Sequence, residues 1–251
     1  MQLEGKIVLV TGGSSGIGRA IAIAAARAGA DVAITYRGNA EGAAATAREI
    51  TAIGRGCHVA RTDVSRQADV GDLAAAMREK FGRVDAWINN AGADILTGKG
   101  AKLTPLEKLD LLLAVDLRGT VLASWAAVEL MRERGGGVII NMSWDHVSHG
   151  LKGENPILYS AAKGGVMSFS KSLAREVAPA IRVNILAPGF IDTAFGQAEA
   201  TTTWRREVES RTPLGRWGTP DDVAKAAVFL ASDDAAFLTG QMLMVNGGVV
   251  M

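Results

Sequence analysis

The sequence predicts an α/β protein built on one doubly wound parallel sheet with helices on both faces. Two observations carry this. Short apolar runs alternate with longer helical stretches along the whole chain, the pattern of strand–helix–strand units with parallel pairing. A glycine-rich turn, Thr11-Gly12-Gly13-Ser14-Ser15-Gly16-Ile17-Gly18, joins the first strand to the first helix. No linker, low-complexity block or solenoid-like repeat interrupts the alternation, so residues 1–251 are expected to form one domain.

Taken in order, Lys6–Thr11 reads as a strand through its Ile-Val-Leu-Val centre, and Gly16–Ala28 as a helix stopped by Gly29. Asp31–Tyr36 is a second strand and Ala40–Ile53 a second helix, followed by Gly54. Cys57–Arg61 is a third strand, Asp69–Phe81 a helix closed by Gly82, and Ala86–Asn89 a fourth strand. A long helix is expected from about Pro105 to Arg134. Thr104 stands at its N-cap, Pro105 at the first helical position and Glu107 in capping-box register, and Gly135-Gly136-Gly137 ends it. Val138–Met142, a helix from near Leu158 to about Pro179, and Arg182–Leu186 follow. Thr219-Pro220-Asp221-Asp222 repeats the cap logic for a helix to about Ala231, and Leu243–Val245 closes the series. The stretch 191–213 is the least regular and is expected to be a lid or substrate-side loop.

Composition narrows the function classes. With 48% hydrophobic and 21% charged residues the chain can bury a core and is not a disordered polymer. A net charge of +1 lacks the basic surplus of a general nucleic-acid binder. One cysteine excludes an internal disulfide framework and fits a reducing compartment. No targeting segment is visible, and the apolar run Ile7–Val10 is far too short for a bilayer. A cytoplasmic protein without membrane or nucleic-acid partners is expected.

Glycines let backbone approach a pyrophosphate closely, and a helix N-terminus presents N–H groups and a positive dipole end. The spacing G-x-x-x-G-x-G differs from G-x-G-x-x-G, and a tight structural turn is the bland reading. The second strand ends at Tyr36-Arg37 without the acidic residue that would hold a ribose 2′-hydroxyl. Arg37 could pair with a 2′-phosphate instead, which favours NADP(H) over NAD(H), or it could be a solvated surface residue. Tyr159 and Lys163 stand at i, i+4 on one helical face. A neighbouring ammonium lowers a phenol's pKa, so Tyr159 is a candidate general acid to a carbonyl or general base to an alcohol.

Together these residues resemble the short-chain dehydrogenase/reductase family along nearly the whole chain. The resemblance rests on Thr11–Gly18, Asp63-Val64, Asn89-Asn90-Ala91-Gly92, Tyr159–Lys163, Pro188-Gly189 through Thr193, and Thr239-Gly240-Gln241 with Asn246-Gly247-Gly248. Within the family the chain looks most similar to the β-ketoacyl carrier-protein reductase and glucose dehydrogenase-like branch. The resemblance implies a Rossmann-type fold, a nicotinamide cofactor and usually a tetramer. It implies that Gly12, Ser14, Ser15, Gly16, Ile17 and Gly18 hold the pyrophosphate and adenosine side, that Asp63 and Val64 flank the adenine, and that Asn90, Ala91 and Gly92 line the ribose. By the same resemblance Lys163 binds the nicotinamide ribose, Pro188, Gly189, Ile191 and Thr193 lie at the carboxamide end, and Tyr159 is the proton donor.

Two positions depart from the family. Asp116 stands where the family has an asparagine that supports a water-linked proton relay, and an ionised Asp cannot donate a hydrogen bond. It could pair with Lys163 or a water. The serine that hydrogen-bonds the substrate oxygen is also missing: aligning forward from Asn141 places Trp144 there, and counting back from Tyr159 lands near His146. Ser143 is one step away and could fill the role, and Asp145, His146 and Ser148 are further candidates. Trp144 could pack the strand end or cap the substrate pocket. His146 and His149 could be acid/base groups or metal ligands, but without a matched carboxylate–Cys pattern they read as polar loop residues and no metal site is expected; Cys57 and His58 read as structural. The leading expectation is an NADP(H)-dependent oxidoreductase on a small carbonyl or alcohol substrate, with Tyr159, Lys163, Ser143 and Asp116 as its catalytic set. The alternatives are a nucleotide-binding protein with lost or reduced catalysis and a dehydratase or epimerase on the same scaffold.

Overall fold

The structure, a computed structural model, describes residues 1–193 and 201–251. Seven strands, β1 (Ile7–Val10), β2 (Asp31–Tyr36), β3 (Cys57–Arg61), β4 (Ala86–Asn89), β5 (Gly137–Met142), β6 (Ile181–Pro188) and β7 (Met242–Val245), form one sheet in the order β3-β2-β1-β4-β5-β6-β7. Every pairing is parallel. The strand order reverses between β1 and β4, and ligands bind open α/β sheets outside the strand ends at such a switch point.

The strand alternation sends side chains to two separate cores. Val8, Val10, Ile34, Ile88 and Ile140 pack against α1 (Gly16–Arg27), α2 (Ala40–Ala52) and α8 (Pro220–Ala231). Leu9, Ala33, Trp87, Ile139 and Val183 pack on the other face against α3 (Gln67–Phe81), α5 (Gly119–Arg132) and α6 (Glu154–Val177). Alanines dominate the meeting of α1 and α8, including Ala22, Ala25, Ala26, Ala224 and Ala227, so the two helices lie close together.

The long helix is present but not uniform. α4 (Pro105–Leu112) starts at the expected capping box between Thr104 and Glu107. It passes through a π-helical turn, Leu113–Arg118, into α5. The 28 residues Pro105–Arg132 are long and apolar enough to cross a membrane by length and composition, and half of that apolar window is buried within the fold. The expectation for 191–213 needs correction: Thr202–Arg211 is a regular helix, α7, with the Thr201 side chain accepting from the Trp204 N–H. Residues 194–200, Glu199 among them, lie outside the described residues.

Candidate active site

The loops after β1 and β4 are joined by side chain–backbone bonds. Thr11 Oγ1 accepts from the N–H groups of Asn90 (3.0 Å) and Ala91 (2.9 Å), and Asn90 Nδ2 donates to the carbonyls of Thr11 (3.0 Å) and Gly12 (3.3 Å). This brings Asn90 against the glycine-rich turn. A Cβ at Gly18 would lie 2.3 Å from the Gly12 oxygen and 2.4 Å from Asn90 Nδ2, so glycine is required there. Gly12 has φ +69°, the left-handed region that glycine enters freely. Ser15 caps α1 without a side-chain hydrogen bond, which leaves the first N–H groups available to an anion. Thr193 closes the other side: its Cγ2 is 3.7 Å from where a Gly16 Cβ would be.

The remaining cofactor-side residues gather at the same strand ends. Arg37 is exposed just beyond β2. Arg61, opposite Tyr36 in the register of β2 and β3, donates from Nε to the Arg37 carbonyl at 3.3 Å. Asp63 accepts from the Ser65 N–H and hydroxyl through Oδ1, and buried Val64 packs at Gly119. The Ala93 N–H, just past Gly92, donates to Asp116 Oδ2 at 2.8 Å. At the end of β6, Gly189 donates to the Val245 carbonyl, and buried Ile191 bridges to Gly218. The glycine cradle, the uncapped helix end and the two arginines fit the phosphates of a dinucleotide.

Tyr159 lies in the second turn of α6 and Lys163 one turn on. Lys163 Nζ is 5.5 Å from the Tyr159 ring centroid, 2.9 Å from Asp116 Oδ1, and donates to the Met142 carbonyl at 3.2 Å. The Asp116 contact has ion-pair distance without hydrogen-bond alignment, since Oδ1 makes no well-oriented hydrogen bond. Asp116 is fully buried, and the π turn aims it at α6. Such turns recur at functional sites because they displace one residue from the regular helix face. Burial is the largest single influence and acts to lower the Lys163 pKa, but the Asp116 carboxylate and Tyr159 together outweigh it and hold the ammonium well above its ordinary range.

For Tyr159 the outcome reverses the sequence expectation. Its pKa is raised: burial is the largest cause, the Lys163 ammonium pulls down, and Asp116 pushes up again. Asp116 thus offsets part of the field that Lys163 would apply to the phenol.

Ser143 also departs from expectation. It is buried, and its Oγ donates to the Lys163 backbone carbonyl at 2.9 Å, so its single O–H is spent on α6 and not offered to a substrate oxygen. The next three residues turn toward the site instead. The Trp144 indole stacks on His146 (4.9 Å between centroids) and meets Tyr159 edge-on at 5.5 Å. Asp145 Oδ1 lies 2.6 Å from His146 Nδ1. Ser148 and His149 are exposed and point to no cluster. His146 lines a cavity of about 560 Å³ together with Pro156, Phe190, Trp204, Glu207 and Arg211. A cleft of similar volume among Gly5, Ile7 and Asp31 lies at the opposite strand ends, away from these groups.

Several contributors escaped the sequence reading. Arg61 carried no signal beyond its place at a strand end. The buried chain Trp87–Asn89–Asn141–Ser170, with Ser124 bonded to both asparagines, ties β4, β5, α5 and α6 beneath the site. Only the two asparagines in apolar strands hinted at it. Phe190, Trp204 and Trp217 meet pairwise at 5.1–5.7 Å, the first two lining the cavity, across a sequence gap that hides the grouping.

Comparison with known proteins decides the family. A model of the family described as enoyl-(acyl carrier protein) reductase matches residues 12–250. An L-rhamnose 1-dehydrogenase (NAD(P)(+)) of Sphingomonas sp. strain SKA58 is 40% identical over 250 residues, covering 98% of this chain and 97% of its own. The chain belongs to the short-chain dehydrogenase/reductase superfamily. The 3-oxoacyl-(acyl-carrier-protein) reductase FabG of Escherichia coli strain K12 is 39% identical over 252 residues, covering 100% of each chain. Among solved structures, a gluconate 5-dehydrogenase from Burkholderia cenocepacia J2315 in complex with NADP and tartrate superposes with a TM-score of 0.89 at 34% identity, covering 99% of this chain and 96% of its own. Like the members it matches, this short-chain dehydrogenase/reductase is an NAD(P)-dependent oxidoreductase.

Proposed function

We propose that this short-chain dehydrogenase/reductase interconverts a carbonyl and an alcohol on a small molecule, prefers NADP(H), and uses Tyr159 as its general acid and base. The observation that carries the reading is the buried ladder Tyr159–Lys163–Asp116 beside the glycine cradle. When bound, the nicotinamide cofactor supplies or accepts the hydride. Tyr159 holds the proton that the substrate oxygen gains in reduction and takes it back in oxidation. Its raised pKa keeps the phenol protonated at neutral pH, which suits the reductive direction. Lys163 remains cationic, orients a ribose hydroxyl and stabilises the phenolate whenever it forms.

Gly12 through Gly18 hold the pyrophosphate. Asp63 and Val64 flank the adenine, Asn90, Ala91 and Gly92 line the ribose, and Pro188, Gly189, Ile191 and Thr193 border the carboxamide. Arg37 and Arg61 support a 2′-phosphate through paired cationic forks at adjacent strand ends. NADP in the Burkholderia structure supports the same preference, while the Sphingomonas relative is described with either cofactor.

The segment 191–213, with α7 in it, serves as the substrate lid. Trp125 on α5 is 55% exposed, which fits assembly with further copies of the chain. The lone, partly buried Cys57 agrees with a reducing, cytoplasmic setting.

The test is NADPH oxidation against β-ketoacyl thioesters, diketones, aldehydes and ketose sugars. Tyr159→Phe should lower kcat by about 10²–10⁴-fold while NADPH affinity stays the same. Turnover retained in that variant removes Tyr159 from the chemistry. The engagement of the Ser143 hydroxyl with α6 favours one rival, a cofactor-binding protein with reduced catalysis. Tight NADPH binding with silence across the panel would select it.

A further inference from the structure

The loop after β5 holds a buried acid–imidazole pair that the proton chemistry above does not use. Asp145 is fully buried and holds His146 Nδ1 at 2.6 Å. Its second oxygen, Oδ2, is buried without a hydrogen-bond partner and faces Gly189, where a Cβ would come within 2.9 Å. Gly189 therefore makes room for a carboxylate whose one good contact is the imidazole. The ring is held on its faces and edges as well, stacked by Trp144 at 4.9 Å and met by Phe190 at 5.8 Å.

With Nδ1 occupied, Nε2 is the remaining polar atom of His146. It has no protein partner among the described residues, and the residue borders the cavity between α6 and α7. A buried imidazole with one nitrogen tied back and the other left open is a built hydrogen-bonding site. Trp144 lies between it and Tyr159, in contact with both rings.

The chemistry of the ligand follows from the partners. Nε2 accepts when the ring is neutral and donates when it is protonated. A hydroxyl completes either state, because it is both donor and acceptor. Phe190 and Trp204 line the same cavity, and aromatic rings there suit the C–H side of a compact ring or polyol. Arg211 at the cavity is matched by Glu207 at 3.5 Å, and Lys152 adds one further positive charge to the lining.

We propose that Asp145 and His146 form a hydroxyl-recognition pair. Asp145 acts as the positioning residue, and His146 Nε2 hydrogen-bonds a substrate hydroxyl other than the reacting oxygen. The substrates are then small polyhydroxylated compounds, polyols and sugars. This rests on the oxidoreductase reading and narrows it. No proton leaves the pair in the reaction; it selects and orients.

The experiment compares kcat/KM within matched sets: threitol and 2,3-butanediol against 2-butanol, and aldohexoses against cyclohexanol, with NADP as oxidant. The wild type should favour the hydroxylated member by at least about tenfold, since a site built to bond a hydroxyl rejects the analogue lacking it. In His146→Ala that preference should collapse toward one. In Asp145→Asn it should fall partway, because the ring loses its fixed tautomer. His146→Gln, which fills the space and keeps a polar end, guards against a folding defect, with thermal melting and NADPH affinity as the check. Added imidazole should restore part of the preference to His146→Ala. A wild type without hydroxyl preference, or a preference unchanged in both His146 variants, overturns the proposal. If Tyr159-dependent turnover persists in that case, the oxidoreductase reading stands alone. A wild type silent on every compound of these sets overturns the proposal; turnover in the NADPH oxidation panel then leaves the oxidoreductase reading standing, and silence there as well overturns both.

Discussion

Asp116 acts on the reacting phenol against Lys163, the larger of the two charge effects on it. It stands 2.9 Å from Lys163 and raises the pKa of both Lys163 and Tyr159. The sign follows directly: a negative charge nearby favours the protonated form of each group. Asp116→Asn removes that charge, so the Tyr159 pKa should fall. Alcohol oxidation needs the phenolate, and its rise with pH should move to lower pH in the variant. Carbonyl reduction needs the phenol and should begin to fail at lower pH than in the wild type. Profiles of kcat/KM against pH in both directions check this, and a shift toward higher pH would contradict it. Asn in this place also ends the tight ion pair that holds Lys163 far above its ordinary range, so the two effects belong to one coupled unit.

At the level of elements, two capped helices and one glycine turn carry most of the local design. α8 opens with a capping box between Thr219 and Asp222, and Arg216 pairs with the same carboxylate at 2.7 Å. The Arg216 hydrogen bond is the largest cause holding Asp222 well below the usual carboxylate range, with the Thr219 N–H and hydroxyl adding to it. A depressed folded-state pKa means stability present above the unfolded value near pH 4 and lost as the pH falls below it. Thr219→Ala should cost about 1 kcal/mol in urea unfolding at pH 7. The deficit of Asp222→Ala should be largest near neutrality and shrink in acid, and a deficit independent of pH would contradict the linkage. The turn after β1 has no such tolerance. In Gly18→Ala the new Cβ would meet the Gly12 carbonyl and Asn90, neither of which can retreat without breaking the β1–β4 join. NADPH affinity should drop by more than about tenfold, an energy of about 1.4 kcal/mol, by isothermal titration.

For the whole molecule, the switch point between β1 and β4 and the loops beyond β5 and β6 place cofactor and substrate groups on separate elements. Binding across them should couple to global stability. NADPH at about 100 times its Kd should stabilise the fold by about 2.7 kcal/mol. For a chain of this size that corresponds to a rise of about 5–10 °C in Tm. NADH at equal concentration should give less if Arg37 and Arg61 hold a 2′-phosphate, and Arg37→Ala should narrow the difference. Equal shifts for the two cofactors would remove that role.

Much of this was legible in the chain itself because the signals are local. β2, β3 and β4 fall where alternation and turn residues placed them, and the caps at Thr104 and Thr219 need only three consecutive neighbours to form. The glycine turn announced a close approach because no other residue can make it. The helix α7 inside 191–213 was not legible, since its polar sequence buries little beyond Val208 and leaves no apolar stripe to read. Tertiary structure alone decided the rest. Ser143 turns to the α6 backbone, Asp145 and His146 pair at the cavity, and burial outweighs Lys163 in setting the Tyr159 pKa. Each of these depends on groups distant in sequence and on the loss of water around them. Periodicity and spacing report which face a residue takes on its own element, whereas the field at a buried atom is a sum over every element packed against it.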